Sequence, residues 1–289
     1  MDFDLYFGKV HLHVNADFFQ GFMSDKMALF AHPVDKKKAF HSVQYRVKLE
    51  KFIVPDSAKV VWRDEDMRVL EKSGCTWRVF RYLGESEDYA VVKDAGKNEI
   101  ACYIMPGKEK YFPSTFHLQP LLLLDSVLIR NGAFILHAAN VIWKGKSILF
   151  FGPSGIGKST QARLWEHYEH AEIINGDRTL IQKEQEHYNS YGISWCGSSD
   201  ICKNKKAKLG ALVYLKQAEY NQITELKGMD ACKAVMSEAV ISSWNLRDKN
   251  LLLDQVTGLL EQSSVLQLRA KSTAMCAAQI SRAISIAAK

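Results

Sequence analysis

One short stretch constrains this chain more than any other. Gly152, Pro153, Ser154, Gly155, Ile156, Gly157, Lys158 and Ser159 fit the pattern Gly-x-x-x-x-Gly-Lys-Ser/Thr. Ser147 to Phe151 leads in and reads as a buried strand, and Lys158 to Tyr168 leads out as a helix, with Ala162, Leu164 and Trp165 available for packing. Strand, glycine loop and helix in this order belong to an α/β layer. The physical reason for the pattern is phosphate. Glycines 152, 155 and 157 let the backbone turn its N–H groups inward and approach phosphate oxygens closely. The N-terminus of the helix adds partial positive charge. Lys158 supplies a full charge to the β- and γ-phosphates, and the Ser159 hydroxyl is placed to ligate Mg²⁺. The nucleotide contacts expected are therefore residues 152–159 together with Thr160.

Such a loop needs a further carboxylate for the metal at the end of a neighbouring strand. Ala171 to Asn175 is a short strand candidate, and Gly176, Asp177 and Arg178 follow it. Asp177 is the natural metal-side acid, and its other reading is a turn aspartate bonding its own backbone.

The rest of the chain is read around this core. Val60 to Trp62, Thr76 to Tyr82, Tyr89 to Val92 and Ile100 to Met105 read as short strands, with turn signals between them. They suggest an antiparallel meander in a β-rich N-terminal domain over 1–117. Asp35 to Lys38 reads as a solvated turn. Leu118 to Arg130 reads as a helix with Pro120 in its first turn and Asn131-Gly132 as its stop, opening a second domain over 118–289. Ala133 to Trp143, the turn Lys144-Gly145 and Ser147 to Phe151 read as a hairpin.

The residues around the loop resemble the HPr kinase/phosphorylase superfamily, the P-loop kinases related to phosphoenolpyruvate carboxykinase. The likeness rests on Leu136-His137-Ala138, then the loop from Gly152 to Ser159, then Gly176-Asp177-Arg178. It covers about residues 133 to 181, and extends more loosely through Ser264 to Leu268 and Ser272 to Ile284 as a closing strand and helix. The closest likeness is to the short HPr-kinase-like proteins that accompany bacterial peptide-modification cassettes. The resemblance implies ATP and Mg²⁺ as cofactors, transfer of the γ-phosphate to a serine hydroxyl of a protein or peptide, and a role for His137 beside the nucleotide. By residue type alone His137 reads first as a core or strand-end histidine, and the position shared with the family brings the two readings level. The family places an aspartate acting as base where this chain has Gly176. Asp200 is the candidate replacement, because Asp200-Ile201 can stand for the family's Glu-Ile. Lys203, Lys205, Lys206 and Lys208 suit either a phosphate-rich site or a solvated basic loop. The missing base leaves an alternative: a catalytically weak, nucleotide-gated regulator or scaffold in a biosynthetic cassette. Homo-oligomers are known in the family and carry over as an expectation.

Composition removes other classes. Charged residues make up 24% of the chain and the net charge is +6, which suits an anionic small ligand but is too weak to indicate nucleic acid. Apolar runs are too short for a membrane span, and an acidic N-terminus is unlike a signal peptide, so a cytoplasmic protein is expected. The six cysteines show no paired spacing and read as reduced thiols.

Overall fold

The computed structural model describes residues 2–16, 24–35, 40–82, 84–96, 98–109 and 120–270. The chain divides into two compact units, Met1–Val127 and Leu128–Lys289, where 1–117 and 118–289 were expected. The basic turn at 36–38, the start of the helix at Leu118, Cys276 and the helix over Ser272 to Ile284 lie outside the described residues.

Among the described residues, the first unit is an eight-stranded sheet. Its strands are β1 (Asp2–Phe7), β2 (Val10–Ala16), β3 (His41–Leu49), β4 (Lys59–Arg63), β5 (Met67–Lys72), β6 (Cys75–Arg81), β7 (Asp88–Asp94) and β8 (Glu99–Ile104). A short helix, α1 (Asp25–Ala28), lies between β2 and β3 in sequence. The spatial order is β1-β2-β3-β8-β7-β6-β5-β4. From β4 to β8 it is an antiparallel meander as expected, with β5 as a strand that the sequence did not single out. The meander does not extend to the N-terminus, because β3 runs parallel to both β2 and β8. Parallel neighbours need a long connection, and here the segment carrying α1 joins β2 to β3 while the whole meander joins β3 to β8. Strict alternation sorts the two faces. Val10, Leu12, Val14 and Ala16 are buried, while His11, His13 and Asn15 face the other way.

The helix expected from 118 is shorter. Its regular part is α2 (Leu124–Arg130). Leu123 has φ of 48°, and its carbonyl accepts from the Ser126 and Val127 N–H groups, so a left-handed residue breaks any continuous helix through it.

The second unit contains β9 (Ala133–Leu136), β10 (Ala138–Trp143), β11 (Lys146–Phe151), α3 (Lys158–Glu169), β12 (Glu172–Asn175), β13 (Thr179–Glu184), β14 (His187–Tyr191), β15 (Lys206–Gln217), β16 (Gln222–Leu226), α4 (Gly228–Glu238), α5 (Leu246–Leu260) and β17 (Val265–Ala270). One mixed sheet runs β12-β10-β11-β15-β14-β13-β9, with β17 also on β15 and β16 beyond it. β11 and β17 are parallel to β15, and β10 pairs with β11 as an antiparallel hairpin. The apolar run Ala133 to Trp143 is not one strand. It breaks at His137, and β9 goes to the far edge to pair with β13.

The sheet is covered on both faces, which is why its central strands are apolar at consecutive positions. Ile148 and Phe150 pack with Ala162 and Trp165 of α3 on one face. Leu149 and Phe151 pack with Val235 of α4 and Leu252 and Val256 of α5 on the other. The fold is thus mixed α/β and dominated by sheet. Among the described residues no helix is long and apolar enough to cross a membrane, and Cys75, Cys102, Cys196, Cys202 and Cys232 are free thiols.

Trp165 is fully buried, edge-on to Trp143 at 5.3 Å and tilted against Phe150 at 5.7 Å. Trp165→Ala is expected to cost about 3–5 kcal/mol, read as a lower midpoint in urea unfolding, and Trp165→Phe distinctly less.

Candidate functional site

The glycine loop joins β11 to α3 at the C-terminal end of β11, an interior strand of the sheet. Gly152 cannot be replaced freely, because it has φ of 143° and a Cβ there would lie 3.1 Å from the Leu215 carbonyl of β15. Lys158 is buried at the start of α3, and its Nζ donates to the carbonyls of Gly152 at 2.9 Å and Pro153 at 3.1 Å. Burial pushes the Lys158 ammonium below its ordinary pKa, while the negative charges of Glu238 and Asp177 pull it back up. A cleft of about 360 Å³ opens beside the loop, lined by Ile156, Gly157, Thr160, Gln161, Leu215 and Leu268 among others.

The turn after β12 comes up against this loop. Ser159 Oγ donates to the Gly176 carbonyl at 3.1 Å. Asp177 Oδ1 lies 3.1 Å from His137 Nε2, and Asp177 Oδ2 lies 3.4 Å from Arg178 Nε. Arg178 also stacks over Trp195 at 5.3 Å. The His137 hydrogen bond holds the Asp177 carboxyl below its usual value; burial opposes the shift, and Arg178 and Lys158 reinforce it. Lys158, Ser159, Asp177 and His137, separated in sequence, therefore meet at one place.

Two residues of this place were not foreseen. The first is Asn175, fully buried at the end of β12. Its Oδ1 accepts from the N–H groups of Asp177 and Arg178, both at 2.9 Å, and its Nδ2 donates to the carbonyls of Ile193 at 2.8 Å and Trp195 at 2.7 Å. An Asx-turn therefore sets the orientation of Asp177, and Asn-Gly-Asp was its available signal. The second is Glu238, the last residue of α4. Its Oε2 lies 3.5 Å from His137 Nδ1, so that His137 faces a carboxylate through each ring nitrogen. Backbone pairing fixes this: the His137 N–H donates to the Glu238 carbonyl at 2.9 Å, and the Val240 N–H to the Ile135 carbonyl at 2.8 Å. An acid at a helix C-terminus opposes the helix dipole, and this was the one sequence hint that Glu238 has a partner.

Asp200 is exposed and follows the 3-10 turn Gly197–Ser199 with φ of 60°. The carboxylate against the free side of His137 is Glu238. That 3-10 turn covers Gly176. A Cβ on residue 176 would run into the Ser199 side chain, which is anchored by its hydroxyl on the Cys196 carbonyl at 2.5 Å. Lys203 and Lys205 meet Glu172 at 2.9 and 2.7 Å, and Lys206 meets the buried Glu184 at 3.4 Å.

No family model matches this chain, and no curated protein matches it. Among solved structures it is similar to the Hpr(Ser) kinase/phosphatase from Coxiella burnetii at 10% identity and a TM-score of 0.31, over 53% of this chain and 98% of that one. At that score the likeness carries no weight for fold or chemistry.

Asn175→Ala removes four hydrogen bonds and leaves buried carbonyls unpaired, an expected loss of about 2–4 kcal/mol in chemical denaturation. Asp177→Asn tests the ion pair. Because the folded pKa lies below 3.8, the stabilisation is present at neutral pH and vanishes as pH falls through that lowered value. Wild type is expected to exceed the variant by about 1 kcal/mol at pH 7 and to match it in acid.

Proposed function

We propose that the second unit binds ATP with Mg²⁺ over the glycine loop and transfers the γ-phosphoryl group to a serine hydroxyl of a protein or peptide. The observation that carries this reading is that Ser159, next to the buried Lys158, bonds the Gly176 carbonyl while the adjoining Asp177 bonds His137. Phosphoryl transfer asks mainly for positioning and charge neutralisation. Lys158 already sits among the loop carbonyls and needs only to exchange them for phosphate oxygens. The Ser159 hydroxyl and the Asp177 carboxylate are hard oxygen donors, the type Mg²⁺ takes. When bound, the ion would neutralise charge on the β- and γ-phosphates.

The geometry gives the acceptor proton somewhere to go despite Gly176. With Asp177 engaged at the metal, His137 Nε2 is available to take the serine proton, and Glu238 at its other nitrogen orients the ring and stabilises the imidazolium. His137 and Glu238 together replace the missing aspartate. The acceptor class, a cytoplasmic setting and a homo-oligomer are parts of the same proposal.

The second reading, a nucleotide-gated regulator without transfer, draws on one observation: Ser199 fills the room that a side chain at 176 would need.

The deciding experiment follows γ-labelled ATP with Mg²⁺ in a bacterial lysate. Wild type is expected to label a protein or peptide, and Lys158→Ala to label none. Glu238→Gln is expected to lower the rate roughly 100-fold with little change in nucleotide affinity. Nucleotide binding without any transfer, after candidate peptides have been supplied, would replace the kinase with the regulator. Gly176→Asp alone is expected to destabilise the fold, and Gly176→Asp with Ser199→Gly to recover much of the loss, as read in thermal melts.

A further inference from the structure

The outer face of the first unit's sheet carries a cluster that the nucleotide chemistry does not use. His11 and His13 are two apart on β2, so both project from the face opposite Leu12 and Val14. Asp4 on β1 stands directly across from His13 in the ladder. Asp4 Oδ1 lies 2.7 Å from His11 Nε2 and 2.9 Å from His13 Nδ1. The candidate donor atoms all lie within 4.8 Å of one another. One carboxylate oxygen thus gathers two imidazoles, more than a simple ion pair requires.

The His11 ring is also held from behind. Ser42 and Gln44 on β3 stand opposite His11 and His13. Ser42 Oγ lies 3.3 Å from His11 Nδ1, the nitrogen that faces away from Asp4, and Gln44 Nε2 donates to that same hydroxyl at 3.1 Å. Tyr6 stacks on the His11 ring at 4.7 Å with planes 9° apart, and Phe40 meets Tyr6 edge-on at 5.2 Å. A ring fixed by stacking and by a hydrogen bond at its far nitrogen is the support that metal-binding histidines have.

We propose that Asp4, His11 and His13 form a binding site for a divalent first-row transition ion, with zinc the best match to its donors. Two imidazole nitrogens and one carboxylate oxygen form a borderline set that suits zinc, whereas calcium and magnesium favour oxygen alone. Tetrahedral zinc with bonds of about 2.0 Å separates its ligands by roughly 3.3 Å, so each imidazole would part from the Asp4 oxygen by about half an ångström. Each ring keeps its proton on the nitrogen facing away from Asp4, that of His11 going to Ser42. Any second proton on either ring is released to solvent as the ion enters. Three protein donors leave a coordination position for water. The site shares no residue with the glycine loop and does not depend on the kinase reading.

The test uses the full chain stripped of metal with a chelator. Zinc titrated by calorimetry is expected to bind with one equivalent at this site. His11→Gln with His13→Gln is expected to weaken that binding at least 100-fold, and Ser42→Ala roughly 10-fold. Cobalt(II) is expected to give a visible spectrum without the near-ultraviolet thiolate band that cysteine ligation would produce. Thermal melts in chelator check that the variants fold, and zinc should raise the melting point of wild type alone. Should the double variant fail to fold, Asp4→Asn decides by the same titration. Equal zinc affinity in wild type and a folded variant, a thiolate band, or no zinc binding at all would each overturn the proposal.

Discussion

The candidate site depends on the side-chain amide of Asn175. Buried at the end of β12, it accepts from two successive N–H groups and donates to two carbonyls of the segment after β14. Both lone pairs of Oδ1 and both N–H groups of Nδ2 are used, which leaves the amide one orientation. The Gly176–Arg178 turn is then fixed relative to the sheet. Asp177 can face His137, and the Gly176 carbonyl can face Ser159. A hydrogen-bonded hub of this kind is costly if incomplete and specific when complete.

The sheet beneath supplies the rigidity. β15 is long enough to have β11 along one edge while the other edge is shared by β14 and β17. The strand that delivers the glycine loop is therefore held by the strand with most neighbours. Helices on both faces demand apolar residues at consecutive positions of β11, and the sequence from Ile148 to Phe151 has them.

This explains what could be read in advance. A continuous apolar run, a glycine loop and a helix are local signals, and they located β11, the loop and α3. Four of the five strands of the β4–β8 meander were legible for the same reason, since short turns separate them; β5, with charged residues at Arg68, Glu71 and Lys72, was not assigned. The strand β3 was not assigned, because parallel pairing with β2 and β8 leaves no turn signature in sequence; β1 and β2 were not assigned although the two-residue turn Gly8-Lys9 joins them as an antiparallel hairpin. Leu123 hides a helix break behind an apolar residue. Glu238 was illegible because its partner is set by pairing of distant backbone; Asp200 is exposed, directly after the turn whose Gly197 and Ser199 abut Asp177 and Gly176.

The backbone clamp between His137 and Glu238 also bears on folding. Closing a long loop costs chain entropy before any contact repays it, so this corner belongs to the non-local part of the topology. During synthesis the ribosome releases the glycine loop, Asn175 and Asp177 well before α4. A nascent or truncated chain ending there carries every residue of the recognisable motif and lacks the carboxylate that completes the histidine. The order of synthesis thus keeps a partly made protein from having a finished centre.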